Sequence, residues 1–273
     1  MRKMVLLLVA MTVTCTLTLG TAWADKLEEI KERGYMVAGV KDAVVPFGYV
    51  DEDSNDIVGF DVDICRKLAD KLGVDLRLKP VTSSTRIPML AQGSVDILAA
   101  TMTHKFSRED SIDFSITYFM TGQKLLVKEG SGIESVADLA GKKVGTAKGS
   151  TSEKNIKDAQ PESRVLSYEG YPQAFLALRQ GKVKAVTTDA TILLGLKNSA
   201  PDPGEYAIVG DYISDEPYGL GVPENESNFR DFVNRSLAEM WVNGEYHEIY
   251  EKWFGKDTNY YLPLDWDMQA WPF

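Results

Sequence analysis

An arginine follows two threonines at a spacing suited to holding a carboxylate. Thr101 and Thr103 close an apolar stretch, and Arg108 comes shortly after them. A guanidinium group with hydroxyl or amide donors beside it binds a carboxylate through two parallel hydrogen bonds. The alternative is a surface arginine paired with Glu109 or Asp110, which contributes little to stability. The position of Arg108 just past a predicted strand favours carboxylate binding.

A second pattern that could hold an anion begins at Lys148, where the sequence reads KGSTSEKN. Ser150 followed by Glu153 predicts a capping box at the start of a helix. The segment is either an ordinary cap or an anion site, in which the amides of the helix start and the Ser150 and Thr151 hydroxyls act as donors. It lacks the residue order of a nucleotide-binding P-loop, so it does not indicate a nucleotide.

Asp189 ends the segment VKAVTTD. It either caps the helix that follows or presents a carboxylate to a ligand ammonium group. Catalysis has little support, because neither of the two histidines, His104 and His247, lies beside a Ser or Cys nucleophile or at a metal-ligand spacing. We therefore expect a binding protein that needs no cofactor and no metal.

The elements that would position these residues alternate between strands and helices. YMVAGV and DLRLKPV read as strands, residues 61–72 as a helix, and RIPMLAQG as a short helix. Such alternation predicts βαβ units and mainly parallel sheets. Ligands of open α/β folds bind beyond the carboxyl ends of the strands, which is where the polar clusters described above fall.

A weak internal repeat predicts two similar α/β lobes. LAQGSVDILAAT from Leu90 and LRQGKVKAVTTD from Leu178 share the order helix end, glycine, and a strand that finishes in hydroxyl residues. YMVAGVKD from Tyr35 and KKVGTAKGSTSE from Lys142 both lead a strand into a loop. The two matches occur in the same order, which favours a duplicated lobe.

The first 24 residues predict a cleavable export signal. Arg2 and Lys3 precede an apolar run that closes on Ala-Trp-Ala before Asp25. A membrane anchor is the alternative, but the run is short for a span and is interrupted by threonines. Cys15 lacks the small-residue pattern of a lipidation site. The mature chain is therefore expected to begin near Asp25 and to be exported without an anchor.

The charge and cysteine content narrow the class of partner. The chain has 30 Lys and Arg against 40 Asp and Glu, and removal of Arg2 and Lys3 makes it still more acidic. Nucleic acid and anionic membranes are poor partners for such a surface. Cys65 would remain as a single cysteine on the apolar face of the 61–72 helix, so no disulfide within the mature chain is expected.

Six segments together resemble the family 3 periplasmic solute-binding proteins, which are the polar amino-acid receptors of ABC importers. They are VGFDVDICRKLADKLG, TSSTRIPMLAQGSVDILAATMT, SREDSIDFSITYF, GKKVGTAKGSTSEK, YGLGVPE and NGEYHEIYEKWFG. The resemblance extends over nearly the whole mature chain. Each segment is moderately specific, and their joint order is strongly so.

The resemblance implies an α/β fold of the two-lobe periplasmic binding protein kind (type II), with mixed, mainly parallel sheets. Two hinge crossovers are expected, near residues 118–123 and 215–219. Lobe 1 would comprise residues 25–119 and 218–273, and lobe 2 residues 120–217, after a signal peptide of residues 1–24. The aromatic tail YYLPLDWDMQAWPF is expected to pack back on a lobe, because it would otherwise leave an apolar patch in water.

The resemblance also implies how the α-carboxylate of a ligand would be held. Arg108 matches the arginine that clamps this group, Thr103 would donate to it, and Thr101 would lie near the α-ammonium group. Ser150 and Thr151 would receive the same carboxylate from the other lobe. Each of these roles is an expectation carried over from the family pattern.

Two further family positions concern the rest of the ligand backbone. Asp189 matches the acid that neutralises the α-ammonium group. Phe60, in the segment GFD, resembles the aromatic wall of the pocket. The resemblance therefore predicts an opposite charge for the ammonium group and an apolar surface beside the ligand.

The segment TSSTR resembles the branch of the family that binds aspartate and glutamate. In that branch Ser83 and Arg86 would meet the distal carboxylate. Lys41 would add a second cation, and Tyr171 resembles a further pocket residue. These residues predict a local basic pocket in an acidic protein.

The function implied is capture of L-glutamate or L-aspartate by hinge closure and delivery to membrane permease subunits. The protein is expected to be a monomer in the periplasm. Three alternatives remain: a general polar amino-acid receptor, a ligand sensor that docks on a receptor or chemotaxis protein, and a dehydratase on the same scaffold. A dehydratase needs a carboxylic acid over the leaving group, and an Asp189 tied to an ammonium group would serve poorly.

Overall fold

Strands and helices alternate along residues 25–270, which are the part of the chain that this computed structural model describes. The strands are β1 Tyr35–Val40, β2 Ala43–Val44, β3 Gly48–Val50, β4 Ile57–Val58, β5 Asp75–Pro80, β6 Ile97–Ala99, β7 Asp113–Lys128, β8 Lys143–Ala147, β9 Arg164–Tyr168, β10 Ala185–Asp189, β11 Tyr206–Val209 and β12 Asp215–Val222. The helices are α1 Lys26–Arg33, α2 Phe60–Leu72, α3 Arg86–Ala91, α4 Phe106–Glu109, α5 Thr151–Ala159, α6 Tyr171–Arg179, α7 Ala190–Asn198, α8 Ser227–Asn243 and α9 Glu245–Phe254. The predicted signal peptide, residues 1–24, lies outside the described residues.

Nine of these strands form a sheet system that serves both lobes, and β2, β3 and β4 form a separate antiparallel sheet. The order of the nine-stranded system is β5-β1-β6-β12-β7-β10-β8-β9, and β11 also pairs with β7. Strand β1 is parallel to β5 and β6, and β8 is parallel to β9 and β10. Strands β7 and β12 run antiparallel to their neighbours. The predicted two-lobe α/β architecture with mixed sheets is thereby confirmed.

The two segments predicted to cross between the lobes pair with each other. Strand β7 is 16 residues long, and it pairs with β12 in its first part and with β10 and β11 in its second part. In the antiparallel register, Phe119 lies opposite Tyr218 and Thr121 opposite Glu216. A two-stranded ribbon therefore joins the lobes. The residue limits given above for each lobe remain a prediction.

Helix α2 has the buried face that its sequence predicts. Val62, Cys65 and Leu68 have no exposed surface, and Gly73 ends the helix with a left-handed φ of 71°. Burial raises the pKa of the Cys65 thiol far above its ordinary value. The predicted role of Cys65 as a core residue is therefore confirmed.

The internal repeat corresponds to two equivalent pieces of structure. Helix α3 leads through Gly93, with φ 69°, into β6, and helix α6 leads through Gly181, with φ 72°, into β10. Both strands end in the cleft between the lobes, with Thr101 after one and Asp189 at the end of the other. The repeat thus places matching strand ends on opposite sides of the same cleft.

An aromatic cluster forms the centre of the first lobe. Phe47, Phe60, Phe119 and Phe254 are almost completely buried, and their ring centroids lie between 5.0 and 6.2 Å apart. Most of these pairs meet edge to face or tilted, the arrangements that aromatic rings prefer. The cluster fixes the positions of α2, β7 and α9 relative to one another.

The C-terminal tail packs on the same core, as predicted, as far as residue 270. Leu262, Leu264 and Trp266 contact the core, and Met268 is only 5% exposed. The last aromatic residues of the predicted tail lie outside the described residues. Among residues 25–270, none of the helices combines the length and the apolar composition that crossing a membrane requires.

Candidate ligand-binding site

Polar side chains from both lobes meet where the strands end. Lys41 follows β1, Ser83 follows β5 and Thr101 follows β6, while Asp189 ends β10 on the other side. All four are at most 6% exposed. A cavity of about 100 Å³ opens beside Lys41, Ser83 and Tyr171, so both lobes contribute to its wall. The structure thus places these four residues at the strand ends that the strand-end rule indicates, and their role in binding stays a prediction.

The basic side chains are held by neutral oxygen atoms. Lys41 Nζ donates to Ser83 Oγ at 2.9 Å, and Arg86 Nη1 donates to the carbonyl oxygen of Thr101 at 2.9 Å. Arg108 Nη1 donates to the carbonyl oxygen of Thr103 at 2.6 Å. Arg108 is thus not paired with its neighbouring acids, and the surface interpretation of this arginine is wrong.

These three cations raise the positive potential of the cleft. Among the described residues, none of Lys41, Arg86 and Arg108 lies within ion-pair distance of a carboxylate. Burial holds the pKa of Lys41 well below its ordinary value, and the charge of Arg86 lowers it further. Burial also lowers the pKa of Arg108 to about 9, and the positive charge of Arg86 lowers it further. A site of this kind stabilises a bound anion, because an anion offsets both effects.

Thr101 adopts a backbone conformation that a β-branched residue rarely accepts. Its φ is 48°, in the left-handed region. The Thr101 N–H donates to Asp61 Oδ2 at 3.0 Å, while its carbonyl oxygen accepts from Arg86. Asp61 also accepts from Tyr118 OH at 2.7 Å, and burial raises its pKa to about 6. Asp61 and Arg86 therefore hold Thr101 from both sides.

Asp189 presents one carboxylate oxygen to the cleft. Its other oxygen, Oδ2, accepts a hydrogen bond from Tyr218 OH, and it makes no side-chain cap on α7. Burial raises the pKa of Asp189 to about 7, the charge of Glu216 raises it further, and the bond from Tyr218 opposes the shift. A cation near this carboxylate would favour the ionised form.

Tyr171 is a second-lobe aromatic residue that lines the cavity beside Lys41 and Ser83. It begins α6 and is 5% exposed. Burial raises the pKa of its hydroxyl, the negative charge of Asp189 raises it further, and the positive charge of Arg86 opposes the rise. The Tyr171 hydroxyl therefore lies between residues of both lobes, as the sequence-based site requires.

Four buried polar atoms around the cleft have no hydrogen-bond partner within residues 25–270. They are Arg86 Nε, Thr101 Oγ1, Thr188 Oγ1 and Asp189 Oδ1. Buried polar groups are almost always paired in folded proteins, so a cluster of such atoms indicates a place for a polar ligand. The set has donors and an acceptor, which matches a small zwitterion better than a purely anionic molecule.

Three predicted hydroxyl donors are engaged elsewhere. Thr103 Oγ1 and Thr151 Oγ1 both donate to Glu216 Oε2, the second at 2.8 Å, and Ser150 Oγ donates to the Ala147 carbonyl at 2.7 Å. Each hydroxyl has one hydrogen, so none is free to donate to a carboxylate. The predicted side-chain capping box at Ser150 is also absent, although α5 does begin at Thr151.

The prediction that Phe60 forms the pocket wall is wrong. Phe60 has no exposed surface, and its ring packs on Phe47, Tyr118 and Phe254 within the first-lobe core. The residue lies at the start of α2, one position before Asp61, and the helix directs it inwards. The family pattern at this position therefore reflects packing behind the site.

Sequence reasoning missed residues that organise the cleft. Asp61, Glu216 and Tyr218 are all fully buried, and each bonds a predicted site residue. Acidic residues in the first turn of a helix or within a strand carry no strong local signal. The alternation in DEPYGLGV could have placed Glu216, Tyr218 and Leu220 on one side of β12, but not their partners.

Groups of three or more His, Cys, Asp or Glu side chains able to hold a metal ion do not occur in the described part of the chain.

The sequence matches a known family over most of its length. The model of the bacterial extracellular solute-binding proteins, family 3, matches residues 36–256. A glutamine-binding protein of an ABC transporter from Bacillus subtilis is 44% identical over 237 residues, which cover 85% of this chain and 86% of the relative. An L-glutamate/L-aspartate-binding protein from Pseudomonas aeruginosa is 31% identical over 239 residues, 84% of this chain and 79% of that protein.

A solved structure agrees with the sequence relatives. An ancestral arginine-binding protein bound to glutamine superposes with a TM-score of 0.78 at 40% sequence identity. The match covers 82% of this chain and 99% of the other. The arrangement of lobes described above is therefore that of known solute-binding proteins.

Proposed function

The chain belongs to the bacterial extracellular solute-binding proteins of family 3, and we propose that within this family it is an amino-acid receptor of an ABC importer with a preference for L-glutamate or L-aspartate. Relatives that bind amino acids for transport support the general role. The preference for an acidic amino acid rests on the charges of the cleft.

The observation that carries this proposal is the pair of buried cations Lys41 and Arg86. They are 4% and 2% exposed and lack an ion-pair partner among residues 25–270. The second carboxylate of an acidic ligand would supply the missing counter-charge, and Ser83, which lies beside Lys41, would be a further donor to it. Glutamine would leave both charges unpaired in the closed cleft, which costs desolvation energy without recovering it.

The remaining site residues fit the common part of an amino acid. Arg108 would bind the α-carboxylate through its guanidinium group. The Thr151 amide at the start of α5 would supply a donor from the second lobe in place of the engaged hydroxyls, whereas the Ser150 amide already donates to the Ala147 carbonyl at 3.3 Å. Asp189 would accept from the α-ammonium group through Oδ1, with Thr101 beside it. Each charged group of the ligand would then face a site group of opposite charge.

Glutamine is the principal alternative ligand. The Bacillus subtilis glutamine-binding relative has the higher identity, 44% against 31% for the glutamate/aspartate-binding one. Identity is an average over the whole chain, whereas ligand charge is decided by a few cleft residues. The charges of Lys41 and Arg86 are therefore a better guide to the ligand than the sequence identity of the whole chain.

The decisive experiment is calorimetric titration of the mature protein with L-glutamate, L-aspartate and L-glutamine. We expect glutamate or aspartate to bind at least tenfold more tightly than glutamine. Lys41→Met should reduce that preference. Lys148→Met, which removes an exposed cation at the start of the α5 loop, is the matched control and should leave it unchanged. Tighter binding of glutamine by the wild-type protein would refute the acidic-ligand proposal.

A dehydratase is the candidate from a different class. The pKa of Asp189, raised to about 7, gives it the protonated carboxyl group that such an enzyme needs. A bound ammonium group would lower that pKa again and remove the proton. We therefore expect an amino acid incubated with equimolar protein to be recovered unchanged, as measured by mass spectrometry.

Export to the periplasm and delivery of the closed form to permease subunits complete the proposal. The family is extracellular, and cleavage after Ala24 would leave Asp25 as the first residue. The Asp25 side chain caps α1 by accepting from the Leu27 N–H at 3.0 Å, so the mature terminus would keep this helix intact. Co-purification with permease subunits in the presence of ligand would distinguish import from a sensing role.

A further inference from the structure

Glu216 is a buried carboxylate at the point where the two lobes meet. It lies on β12 and has no exposed surface. Its Oε2 atom accepts from the hydroxyl of Thr103, which follows β6, and from the hydroxyl of Thr151 in α5 at 2.8 Å. One oxygen atom therefore receives a hydrogen from each side of the cleft.

The second oxygen of Glu216 is fixed to the hinge and to α5. Oε1 accepts from Asn155 Nδ2 at 2.9 Å and from Ser214 Oγ at 2.6 Å. Asn155 Oδ1 accepts in turn from Lys105 Nζ at 3.2 Å, which adds another contact across the cleft. Hydrogen bonds to an ionised carboxylate are stronger than those between neutral groups. The network is thus specific to the closed arrangement of the lobes.

Opening of the cleft moves Thr103 away from Thr151, so both hydroxyls cannot remain on one oxygen. We propose that Glu216 is a closure latch: a positioning residue that acts through Thr103 and Thr151 and slows release of the ligand. Opening leaves the carboxylate short of a partner at the moment when the lobes separate. The latch holds the lobes without any contact to the ligand side chain.

This role predicts a particular kinetic signature. The ligand enters the open form, in which the latch is broken, so the association rate should not depend on Glu216. Dissociation requires opening, so its rate should rise when the latch is removed. The effect should be equal for ligands with different side chains, because the latch changes the population of the closed form and not the pocket.

Stopped-flow binding of L-glutamate and L-glutamine to Glu216→Gln tests the proposal in the full mature protein. We expect at least a tenfold faster dissociation, an association rate within threefold of wild type, and an unchanged ratio of the two affinities. Thr151→Val, which removes one cross-lobe hydroxyl, should act in the same direction if Glu216→Gln folds poorly. Ser214→Ala removes a hydrogen bond to Oε1 of Glu216 and leaves the cross-lobe bonds to Oε2 in place, so it should have the smallest effect on dissociation.

Hydrogen exchange without ligand provides an independent measurement, because the kinetic arm rests on the proposed function. Glu216→Gln should increase exchange in peptides covering residues 101–105 and 149–156 but not in β1. Dissociation within twofold of wild type for both variants, a changed ligand preference, or unchanged exchange would each overturn the latch. If neither amino acid binds the wild-type protein, the proposed ligand is wrong, and the exchange pattern alone decides whether the latch exists.

Discussion

Gly149 of the second lobe lies directly against Ser84 of the first. A Cβ atom added to Gly149 would lie 2.8 Å from the Ser84 Cα atom and 3.0 Å from the Ser83 carbonyl oxygen. Gly149 also has a φ of 76°, which favours glycine. The backbone contact exists only while the lobes are together, so this glycine sets how far the cleft can close.

Gly149→Ala should therefore weaken amino-acid binding by tenfold or more. The added methyl group collides with backbone atoms in the closed form only, and backbone cannot move aside as a flexible side chain can. Gly181→Ala is the matched control, since Gly181 has a φ of 72° and no heavy atom within 4 Å of the added Cβ. Calorimetry should show weaker binding for the first variant alone, and equal losses in both would contradict the closure argument.

Arg86→Met should reduce the preference for glutamate over glutamine. Loss of the buried guanidinium group removes the partner of the distal carboxylate but costs little for a neutral amide, so the effect on glutamate should be about 1 to 3 kcal/mol larger. The ratio of the two dissociation constants is the measurement. Because Arg86 also donates to Thr101, circular dichroism must confirm that the fold is kept. An unchanged ratio in a folded variant would assign Arg86 a purely structural role.

Arg108→Ala should abolish binding of every amino acid tested. Removal of a charged partner from a closed cleft costs roughly 2 to 5 kcal/mol, which is about 1.5 to 3.5 decades in affinity. The loss should be similar for glutamate, aspartate and glutamine, since all carry the same α-carboxylate. Titration calorimetry on the folded variant checks this, and a selective loss for one ligand would move Arg108 to the side-chain end of the pocket.

Binding should weaken as the pH falls below 7. Burial raises the pKa of Asp189 to about 7, and at lower pH the protonated carboxyl group no longer attracts the ligand ammonium group. Affinity should fall by up to about tenfold per pH unit in this range, and Asp189→Asn should remove the dependence. Dissociation constants measured between pH 5 and pH 8 provide the test, and a flat profile in the wild-type protein would exclude this role.

The same shift affects the stability of the protein without ligand. The folded pKa lies above the ordinary carboxyl value of 3.8, so the stability contributed by Asp189 is fully present below pH 3.8 and is lost as the pH rises through about 7. Asp189→Asn should therefore raise the free energy of unfolding at pH 8, by about 1 to 3 kcal/mol, but not at pH 3. Thermal melts at the two pH values check the sign.

Phe60→Leu should lower stability without changing ligand preference. The side chain is completely buried among aromatic rings, and a smaller residue leaves a cavity that costs about 1 to 3 kcal/mol. Urea unfolding and the glutamate-to-glutamine affinity ratio together make the test. A changed ratio at unchanged stability would restore Phe60 to the pocket wall.

Local patterns in the sequence predicted much of the framework. The strand at residues 35–40, the helix that buries Cys65 and the paired glycine turns all depend on near neighbours along the chain, so periodicity and turn residues suffice to locate them. The strand-end rule also brought Lys41 and Arg86 to the cleft. These features are set by local geometry and by the general layout of α/β lobes.

The errors concern side chains whose partners are distant in sequence. Nothing in the sequence indicates that the hydroxyls of Thr103 and Thr151 are already engaged. Only the fold shows that the Glu216 carboxylate accepts a hydrogen bond from each of them. Phe60 lies beside Asp61 in the sequence, yet a helix turns one into the aromatic core and the other towards Thr101. Hydrogen-bond competition of this kind depends on three-dimensional contacts, so no spacing rule predicts it.

The position of β12 between β6 and β7 determines the order in which the nascent chain can fold. Strand β6 ends at Ala99, but its neighbour β12 is not complete until Val222 has been synthesised. Helix α1 acquires its hydrogen-bond partner later still, because the Lys26 N–H donates to the Glu226 side chain at 2.9 Å. The strands β8 to β10 and their helices can assemble earlier, because their partners are already made. A strand edge of the first lobe therefore stays open until β12 is available, which makes its closure a late, long-range step.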